Sequence, residues 1–376
     1  MTDSPSVLHV ISGIDVGGAE NHLLMLLDGL SSRGFDVTVA YLKGDGELAS
    51  DFREAGCSVE RIGIRSDFDP LGFGKLVTKI VRNDYDLVHT HLFHGDIYGA
   101  TAATVAGVPA IISSKHNDPP YWQEQPYKLI HDLSLSRTDR VLPISEHVRD
   151  YLLETSRISP NQVQTVRYGI SPTEFDGVSE RDVQSVRRDF VDDNTPLVGT
   201  VARLTEQKNL ETLLRAFEQV KDRVPDAHLA IVGRGEEEDR LKRLAETHDI
   251  EDDVTFSGFR TDIPELMHAF DVFALPSLWE GFGVVFLEAM AAQTPVVASE
   301  VSAIPEVVAD GETGLLCPPM DEAKFADAIS TLLETPEMAE SMGKAGRERL
   351  DREFAVDRMI EEVATIYQDT LSSKSQ

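Results

Sequence analysis

The sequence predicts an α/β protein with two domains, each built on a parallel β-sheet covered by helices. Short apolar runs typical of buried strands alternate with helix-type apolar spacing between residues 7 and 89, and the same alternation resumes at residue 197. The chain has 376 residues, which is more than one hydrophobic core usually organises. Two domains of roughly 150 to 200 residues each are therefore expected.

The first strand-loop-helix unit is a candidate phosphate contact. A strand is expected over residues 7–11 and a helix over 19–30, and the loop between them contains Gly17 and Gly18. Such a loop can bring the backbone N–H groups of a helix N-terminus to an anion, although the glycines are equally compatible with a simple turn. The spacing is not the G-x-G-x-x-G of dinucleotide binders, which disfavours a nicotinamide enzyme.

The rest of the N-terminal half continues the alternation. Strands are expected at residues 37–41, 59–62, 87–89, 110–113, 140–144 and 163–166, and helices at 47–55, 71–81, 129–135 and 146–153. Helices between successive strands predict parallel pairing. The amphipathic 71–81 helix is expected to pack on the sheet, and a peripheral membrane contact through it stays open.

Histidines are concentrated after two of these strands. His89, His91 and His94 lack the H-E-x-x-H spacing of a metal site, so metal binding by this group is disfavoured. His116 follows the 110–113 strand. Ligands of open α/β sheets usually bind beside the carboxyl ends of the strands, so His116 is in a position to contact one. This position makes His116 a candidate for a ligand contact, although an isolated loop histidine is more often inert.

Arg203 and Lys208 are candidate diphosphate contacts in the second half. They lie between an expected strand at 197–202 and an expected helix at 210–220, so they flank a helix N-terminus at the carboxyl end of a strand. Such cations are ordinarily solvated surface charges. In a chain poor in cations, charge-assisted hydrogen bonds to phosphate are the better interpretation. Further strands are expected at 228–232, 254–256 and 272–275.

Two glutamates occupy the stretch 277–299. Glu280 is expected in a loop, and Glu288 about one turn into a helix over 284–292, with a Gly-Phe-Gly triplet at 281–283 between them. Two acids near a helix start can simply be favourable partners of the helix dipole. The glycines and the apolar residues between the acids instead favour a ligand site beside free backbone N–H groups.

Composition excludes several classes of protein. The chain carries 65 acidic and 35 basic residues, a net charge of −30, which argues against a nucleic-acid or anionic-membrane surface. The low lysine content beside abundant acid suggests adaptation to concentrated salt. Two distant cysteines support neither a disulfide framework nor a metal site. Without a signal peptide or a long apolar stretch, a cytoplasmic location is expected, with a peripheral contact to the inner face of the membrane left open.

A specific family resemblance emerges from the 277–299 stretch. The acid Glu280, the Gly-Phe-Gly triplet at 281–283, the acid Glu288 and the Thr-Pro-Val-Val run at 294–297 together resemble the signature of the retaining glycosyltransferases of family 4. That resemblance extends over nearly the whole chain. It implies the GT-B fold, in which two Rossmann-like domains with parallel sheets face each other across a cleft.

The resemblance also implies the limits and roles of the domains. It divides the chain into an acceptor-side domain over 1–170, a connector over 171–195, a nucleotide-sugar-binding domain over 196–353 and a C-terminal helix over 354–371 that packs back on the first domain. The implied reaction is transfer of a sugar, with retention, from a UDP-, GDP- or ADP-sugar to an unidentified acceptor in polysaccharide or glycoconjugate biosynthesis. Neither a metal ion nor another cofactor is expected.

Site residues follow from the same resemblance. The implied catalytic residues are His116, Arg203, Lys208 and Glu280. The implied donor-binding residues are Gly17, Gly18, Arg203, Lys208, Gly233, Phe259, Arg260, Glu280, Gly281, Phe282, Gly283, Val284 and Glu288. In this scheme Glu280 positions the sugar, Glu288 holds ribose hydroxyls, and the two cations stabilise the leaving diphosphate.

Some residues depart from the family pattern. Tyr168 and Ser171 stand where the family has Asn and Asp, and Asn209 follows Lys208 where the family has glycine. D-x-D pairs at 67–69 and 84–86 look like metal ligands but do not lie beside the predicted donor site. A sugar-nucleotide epimerase of the same fold and a catalytically silent nucleotide-sugar-binding module remain as alternatives.

Overall fold

The computed structural model describes residues 4–15, 17–117, 127–192 and 194–374. The chain divides into two compact units. Unit 1 contains Met1–Gly169 and Val356–Gln376, and unit 2 contains Ile170–Ala355. Of the helices in the described part of the chain, none combines the length and the apolar character needed to span a bilayer.

Strands and helices alternate through both units. Within the described residues the strands are β1 (Ser6–Ile11), β2 (Asp36–Tyr41), β3 (Ser58–Arg61), β4 (Leu87–His91), β5 (Ala110–Lys115), β6 (Arg140–Pro143), β7 (Leu197–Val201), β8 (His228–Val232), β9 (Val254–Gly258), β10 (Val272–Leu275), β11 (Val296–Ser299) and β12 (Gly314–Cys317). The helices are α1 (Gly18–Ser32), α2 (Ala49–Glu54), α3 (Pro70–Asn83), α4 (Leu92–Gly95), α5 (Thr101–Ala106), α6 (Tyr127–Leu135), α7 (Glu146–Thr155), α8 (Thr173–Asp176), α9 (Glu180–Arg187), α10 (Leu210–Arg223), α11 (Glu238–Thr247), α12 (Ile263–Ala269), α13 (Val284–Ala291), α14 (Ile304–Val307), α15 (Glu322–Glu334), α16 (Pro336–Glu353) and α17 (Val356–Lys374).

The sheet of unit 1 has the strand order β3-β2-β1-β4-β5-β6, with every pair parallel. Because successive side chains of a strand point to opposite faces, β1 contributes to a core on each side of the sheet. Val7 and Ile11 join the core that contains residues of α1 and α17. Leu8 and Val10 join the opposite core, which contains residues of α3.

Helix α17 ends the chain but belongs to unit 1. Its Ile360 and Tyr367 are buried in the same core as Leu26 of α1. Gly29 of α1 permits the close approach of the two helices, because a Cβ atom at this position would lie 2.2 Å from Ile360. A larger side chain at Gly29 would therefore have to displace α17.

The sheet of unit 2 has the order β12-β11-β10-β7-β8-β9, again with parallel pairing. In both sheets the first three strands in the sequence are added one after another toward one edge of the sheet. The fourth strand then pairs with the other side of the first strand, and the last two continue toward the opposite edge. The two switch points are the β1–β4 pair and the β7–β10 pair. The prediction of an α/β architecture with two parallel sheets is confirmed.

The structure differs from the sequence-based expectation in two segments. Residues 163–166 do not form the predicted strand, because only one bridge forms there, between Val163 and Val141 of β6. Residues 171–195, which we expected to connect the domains, include α8 and α9 and fall within unit 2. Arg187 of α9 fixes this segment by donating hydrogen bonds to Thr195 O over 2.7 Å and to Asp271 Oδ2 over 2.8 Å.

Candidate functional site

Several of the predicted site residues follow strands at the switch point of each sheet, whereas His116 follows β5, Gly233 follows β8, and Phe259 and Arg260 follow β9. In unit 1, β1 leads to the Gly17–Gly18 loop, and β4 leads to a short helix. In unit 2, β7 leads to Arg203 and Lys208, and β10 leads to Glu280. Ligands of open α/β sheets bind outside the carboxyl ends of the strands at such switch points, so both groups occupy a position suited to ligand binding.

Glu280 is held by two donors in unit 2. Its Oε1 atom accepts a hydrogen bond from Ser277 Oγ over 2.7 Å and forms a salt bridge with Lys208 Nζ. Glu280 is buried and Lys208 is partly buried. The structure thus brings together two residues that were predicted to act on the sugar and on the diphosphate, and it assigns Ser277 to the same group.

Backbone contacts fix the loop before Glu280. Leu278 donates its N–H to Gln207 O over 2.8 Å, and the Gln207 side-chain amide donates to Trp279 O over 2.8 Å. Asn209 has a φ angle of 49°, a left-handed conformation that asparagine tolerates better than most residues. This explains why asparagine can stand where the family has glycine. Its side chain also donates to Pro276 O over 3.3 Å.

The Gly-Phe-Gly triplet forms the start of α13. Gly283 has a φ angle of 87° and occupies the N-cap position, where a Cβ atom would lie 2.6 Å from the Phe286 ring. Glycine is therefore required there. The Phe282 ring is buried in edge-to-face contact with Phe354. A donor contact by Phe282 would therefore have to come from its backbone, beside Gly281 and the first helical residue, Val284.

Glu288 lies in the middle of α13 and is partly exposed. Burial, with a smaller contribution from the Glu174 carboxylate, raises the pKa of Glu288 to about 7. Carboxyl groups whose pKa is raised by burial and a neighbouring carboxylate are found more often at functional sites than elsewhere. This property fits a residue that was predicted to hold ribose hydroxyls.

Arg203 and the loop after β8 form an exposed cationic edge. Leu204 donates its N–H to Arg234 O over 3.1 Å, which joins the two loops. Gly233 permits this contact, since a Cβ atom there would lie 1.8 Å from Ala202 O. The Arg203 side chain is exposed, and it forms no ion pair with any residue that the structure describes. It therefore remains available to an anionic ligand.

Phe259 and Arg260 have different surroundings. The Phe259 side chain is 48% exposed, and the Arg234 guanidinium lies 5.0 Å from the centre of its ring. Arg260 instead forms a two-fold salt bridge with Asp262 and donates to Asp189 Oδ2 over 2.6 Å. The guanidinium of Arg260 is thus already paired with two carboxylates, whereas the exposed ring of Phe259 offers an aromatic surface to a base.

The N-terminus of α1 is the candidate anion site of unit 1. Gly17 is its N-cap residue and provides no side-chain cap. A Cβ atom at Gly18 would meet no atom within 4 Å, whereas one at Gly17 would lie 2.4 Å from Glu20 Oε2. The first-turn N–H groups of this 15-residue helix suit an anion, but the anion would have to displace the Glu20 carboxylate from Gly17.

His116 is partly exposed, and both of its ring nitrogens have partners in unit 1. Nδ1 hydrogen-bonds with the Tyr168 hydroxyl, and Nε2 lies 3.1 Å from Nδ1 of His91. Tyr168 also stacks on His22, with ring centres 3.5 Å apart. A nitrogen contact between His116 and a ligand would therefore have to replace Tyr168 or His91.

The D-x-D pairs have local structural roles. Asp67 pairs with Lys43 over 2.7 Å, and Asp69 caps α3 by accepting the N–H groups of its first turn. Asp86 accepts the N–H of Ser6 over 2.8 Å. These contacts account for three of the four acids without a metal ion.

The histidine group differs from the one suggested by sequence. His94 lies beside Asp67 at 2.9 Å, away from the other two. His89 and His91 instead meet His9 of β1, a residue that the sequence analysis did not single out. His9 is opposite His89 in the register of the β1–β4 pair, so only the strand order could have revealed this grouping.

Comparison with known proteins gives the family. The family model described as "Glycosyl transferases group 1" matches residues 184–349. The family model described as "Glycosyltransferase Family 4" matches residues 16–174. The alpha-maltose-1-phosphate synthase of Mycolicibacterium smegmatis is 32% identical over 75% of this chain and 78% of its own length. A GDP-mannose-dependent monoacylated alpha-(1-6)-phosphatidylinositol monomannoside mannosyltransferase of Corynebacterium glutamicum is 29% identical over 72% of each chain.

The crystal structure of HepE from Anabaena in complex with UDP superposes on 98% of this chain and 100% of that chain, with a TM-score of 0.86 and 24% sequence identity. This likeness supports the GT-B fold that the resemblance implied. The sequence relatives and the two family matches show that the chain belongs to glycosyltransferase family 4, the group 1 glycosyltransferases.

Proposed function

We propose that the protein is a retaining glycosyltransferase that moves a sugar from a nucleoside diphosphate sugar to an acceptor. One observation carries the proposal: the neighbouring strands β7 and β10 bring the exposed Arg203, the Lys208–Glu280 pair and the start of α13 to one edge of the unit 2 sheet. Cations and helix N–H groups at one edge suit a diphosphate, and a held carboxylate suits a sugar hydroxyl.

The charges at this edge match the charge that develops in the reaction. As the bond between the anomeric carbon and the phosphate oxygen breaks, the electron pair moves to the diphosphate. Arg203, the first turn of α13 and the remaining N–H groups of Lys208 can stabilise that charge. An acceptor oxygen bonds to the anomeric carbon on the same face, and its proton passes to the departing phosphate oxygen.

This arrangement supports a metal-independent mechanism. The two cations and the helix N-terminus supply positive charge where a divalent ion would otherwise bind. Lys208 and Ser277 both contact Oε1 of Glu280, so this carboxylate already has a cationic partner. In this scheme Glu280 positions the sugar and Glu288 holds the ribose.

The exposed ring of Phe259 and the guanidinium of Arg234 provide a surface on which a base can stack. Stacking of this kind accepts any base, so it supports nucleotide binding without selecting UDP, GDP or ADP. The relatives do not narrow the choice either. One solved structure contains UDP, and one relative is named as GDP-mannose-dependent.

A panel of UDP-, GDP- and ADP-sugars, screened first by thermal stabilisation and then with candidate acceptors by mass spectrometry, tests the proposal. We expect one donor to raise the melting temperature and to yield a glycosylated acceptor, and Glu280→Gln to lose the product while still binding the nucleotide. Release of an isomerised free sugar without any acceptor would identify an epimerase. Stabilisation by no nucleotide sugar would refute the proposal.

A further inference from the structure

Seven buried or partly buried side chains of unit 1 form one continuous chain of hydrogen bonds. In order, the members are Tyr168, His116, His91, His9, Tyr367, His89 and Ser114. We call them the histidine chain. Each of its four imidazoles uses both ring nitrogens, so the chain has no branch and no free nitrogen along its length.

The first half of the histidine chain runs from the partly exposed His116 into the sheet. His116 Nε2 lies 3.1 Å from His91 Nδ1, and His91 Nε2 lies 2.9 Å from His9 Nδ1. Both distances are those of N–H···N hydrogen bonds. The rings of His9 and His91 lie within 14° of parallel, with their centres 5.2 Å apart.

The second half runs through α17. Tyr367 places its hydroxyl 3.3 Å from His9 Nε2 and 2.5 Å from His89 Nδ1. His89 Nε2 then lies 2.8 Å from Ser114 Oγ. Tyr367 is thus the single hydroxyl through which the two parts of the chain are joined.

The protons of such a chain must be ordered. A neutral imidazole has one N–H and one lone pair, and the hydroxyl of Tyr367 donates to one histidine while it accepts from the other. If His116 carries its proton on Nε2, then His91, His9 and His89 must do the same. Otherwise two N–H groups or two lone pairs would face each other in a buried space, or His9 and His89 would both donate to Tyr367 and leave its hydroxyl proton without an acceptor in the chain. The only other consistent arrangement has all four protons on Nδ1.

The chain stays neutral, which this ordering requires. Burial lowers the pKa of His9 to about 3, and burial with the nearby Lys115 ammonium lowers the pKa of His116 to about 3. His89 and His91 are lowered well below the ordinary value, mainly by burial. Lys115 is itself buried in a salt bridge of 2.5 Å with Asp96.

A metal ion is the competing explanation for three clustered histidines. His9, His89 and His91 offer ligand atoms within 4.8 Å of one another. Zinc bound tetrahedrally at 2.0–2.1 Å would hold two nitrogens about 3.3 Å apart. The 2.9 Å between His9 and His91 is shorter, and the other nitrogens already have protein partners, so a hydrogen-bonded chain fits better.

We propose that the histidine chain imposes one common tautomer on its four imidazoles, and that Tyr367, His9 and His91 are thereby positioning residues for His116. Through His9 and His91, Tyr367 of α17 thus determines which nitrogen of His116 carries a proton. The inference rests on the proposed function in one respect only, namely that His116 contacts a sugar donor. The common tautomer itself requires no ligand.

Nitrogen-15 NMR of the ligand-free, histidine-labelled protein tests the common tautomer directly, since protonated and unprotonated ring nitrogens resonate far apart. We expect all four rings of the histidine chain to carry their proton on the same nitrogen. A mixture of tautomers among them would overturn the proposal. So would ring nitrogens with the shifts of metal ligands together with stoichiometric zinc in the purified protein.

The substitution Tyr367→Phe tests the positioning role. It removes the linking hydroxyl but keeps the ring, and we expect the resonances of His91 and His116 to change, up to three hydrogen bonds away. Tyr98→Phe is the control, because it removes another buried hydroxyl of unit 1, one bonded to Asp69 N at 2.6 Å, outside the chain. Changes confined to His9 and His89 would overturn the positioning role.

Activity separates this inference from the proposed function. With a functional donor, Tyr367→Phe should lower kcat about five-fold, the factor expected for one lost hydrogen bond. Its affinity for nucleoside diphosphate should stay that of the unsubstituted protein. An unchanged kcat would overturn the positioning role. If no donor is found but the tautomers are uniform, the common tautomer stands and the proposed function fails.

Discussion

Lys208 and Glu280 lie 72 residues apart in the sequence, yet they form a salt bridge in which the two side chains are 13% and 8% exposed. Removing one partner of such a pair leaves a charge with poor access to water. Lys208→Met should therefore lower the free energy of unfolding by about 3 kcal/mol. The double variant Lys208→Met/Glu280→Gln should recover much of the loss. Urea denaturation measures both, and costs that simply add would show that the two residues are not coupled.

Arg203 should contribute to diphosphate affinity without affecting stability. Its guanidinium is exposed and has no ion pair among the described residues, so Arg203→Ala removes only a ligand contact. We expect a loss of about 1.5 to 3 kcal/mol in binding a nucleoside diphosphate, the range for hydrogen bonds to charged groups, and almost none for the nucleoside. Arg352→Ala, at an exposed arginine paired with Glu353, is the control for calorimetry. Equal losses for both ligands would exclude a phosphate contact.

The order of strands and helices could be predicted from the sequence because it depends on local periodicity. The expected helix at 210–220 and the strand at 272–275 correspond to α10 and β10. Lys208 and Glu280 could also be selected as candidate site residues, because their spacing from glycines and strand ends is visible in the sequence.

Contacts between distant elements could not be predicted in this way. His9 looks like one polar residue in an apolar strand until the β1–β4 register sets it opposite His89. The salt bridge of Arg260 with Asp189 depends on how α9, which ends just before Asp189, packs on unit 2, and no local pattern encodes this packing. Pairing and packing over long sequence distances therefore remain the information that only the fold supplies.

Activity should survive removal of divalent cations. Arg203, Lys208 and the start of α13 supply the positive charge that a metal would otherwise give to the leaving diphosphate. With the functional donor, the turnover rate in excess EDTA should match that in Mg²⁺. Complete inhibition that Mg²⁺ reverses would contradict this mechanism. It would make Asp84 a candidate metal ligand, because the contacts described for Asp67, Asp69 and Asp86 account for the other three acids of the D-x-D pairs.

The histidine chain should make the fold sensitive to mild acid. Burial lowers the pKa of His9 and His116 to about 3, whereas an unfolded chain binds these protons near pH 6.5. The unfolded state therefore binds more protons below pH 6.5. The stability is complete above that pH and falls by about 1.4 kcal/mol per pH unit for each such histidine. Urea unfolding at pH 7.5, 6.5 and 5.5 should show this loss, and a constant free energy of unfolding would contradict it.

Glu288 should make the affinity for nucleotide depend on pH. Unlike the pKa values of the histidines, its pKa is raised. Burial, and then the Glu174 carboxylate, raises its pKa to about 7, so the free protein holds a proton there near neutral pH. An ionised carboxylate accepts hydrogen bonds from both ribose hydroxyls, whereas the protonated form must donate at one oxygen. Binding of a nucleoside diphosphate should therefore tighten as the pH rises through about 7.

The variants separate this effect from titration of the ligand. Terminal phosphates lose a proton near pH 6, so the comparison is made with Glu288→Gln, which keeps the shape and cannot titrate. The dissociation constant of the nucleoside diphosphate for Glu288→Gln, divided by that for the unsubstituted protein, should rise between pH 6 and 8. Glu174→Gln removes the neighbouring charge and should move this rise to lower pH, because the pKa of Glu288 then falls. A ratio that is constant with pH would mean that Glu288 does not contact the nucleotide through its charged form.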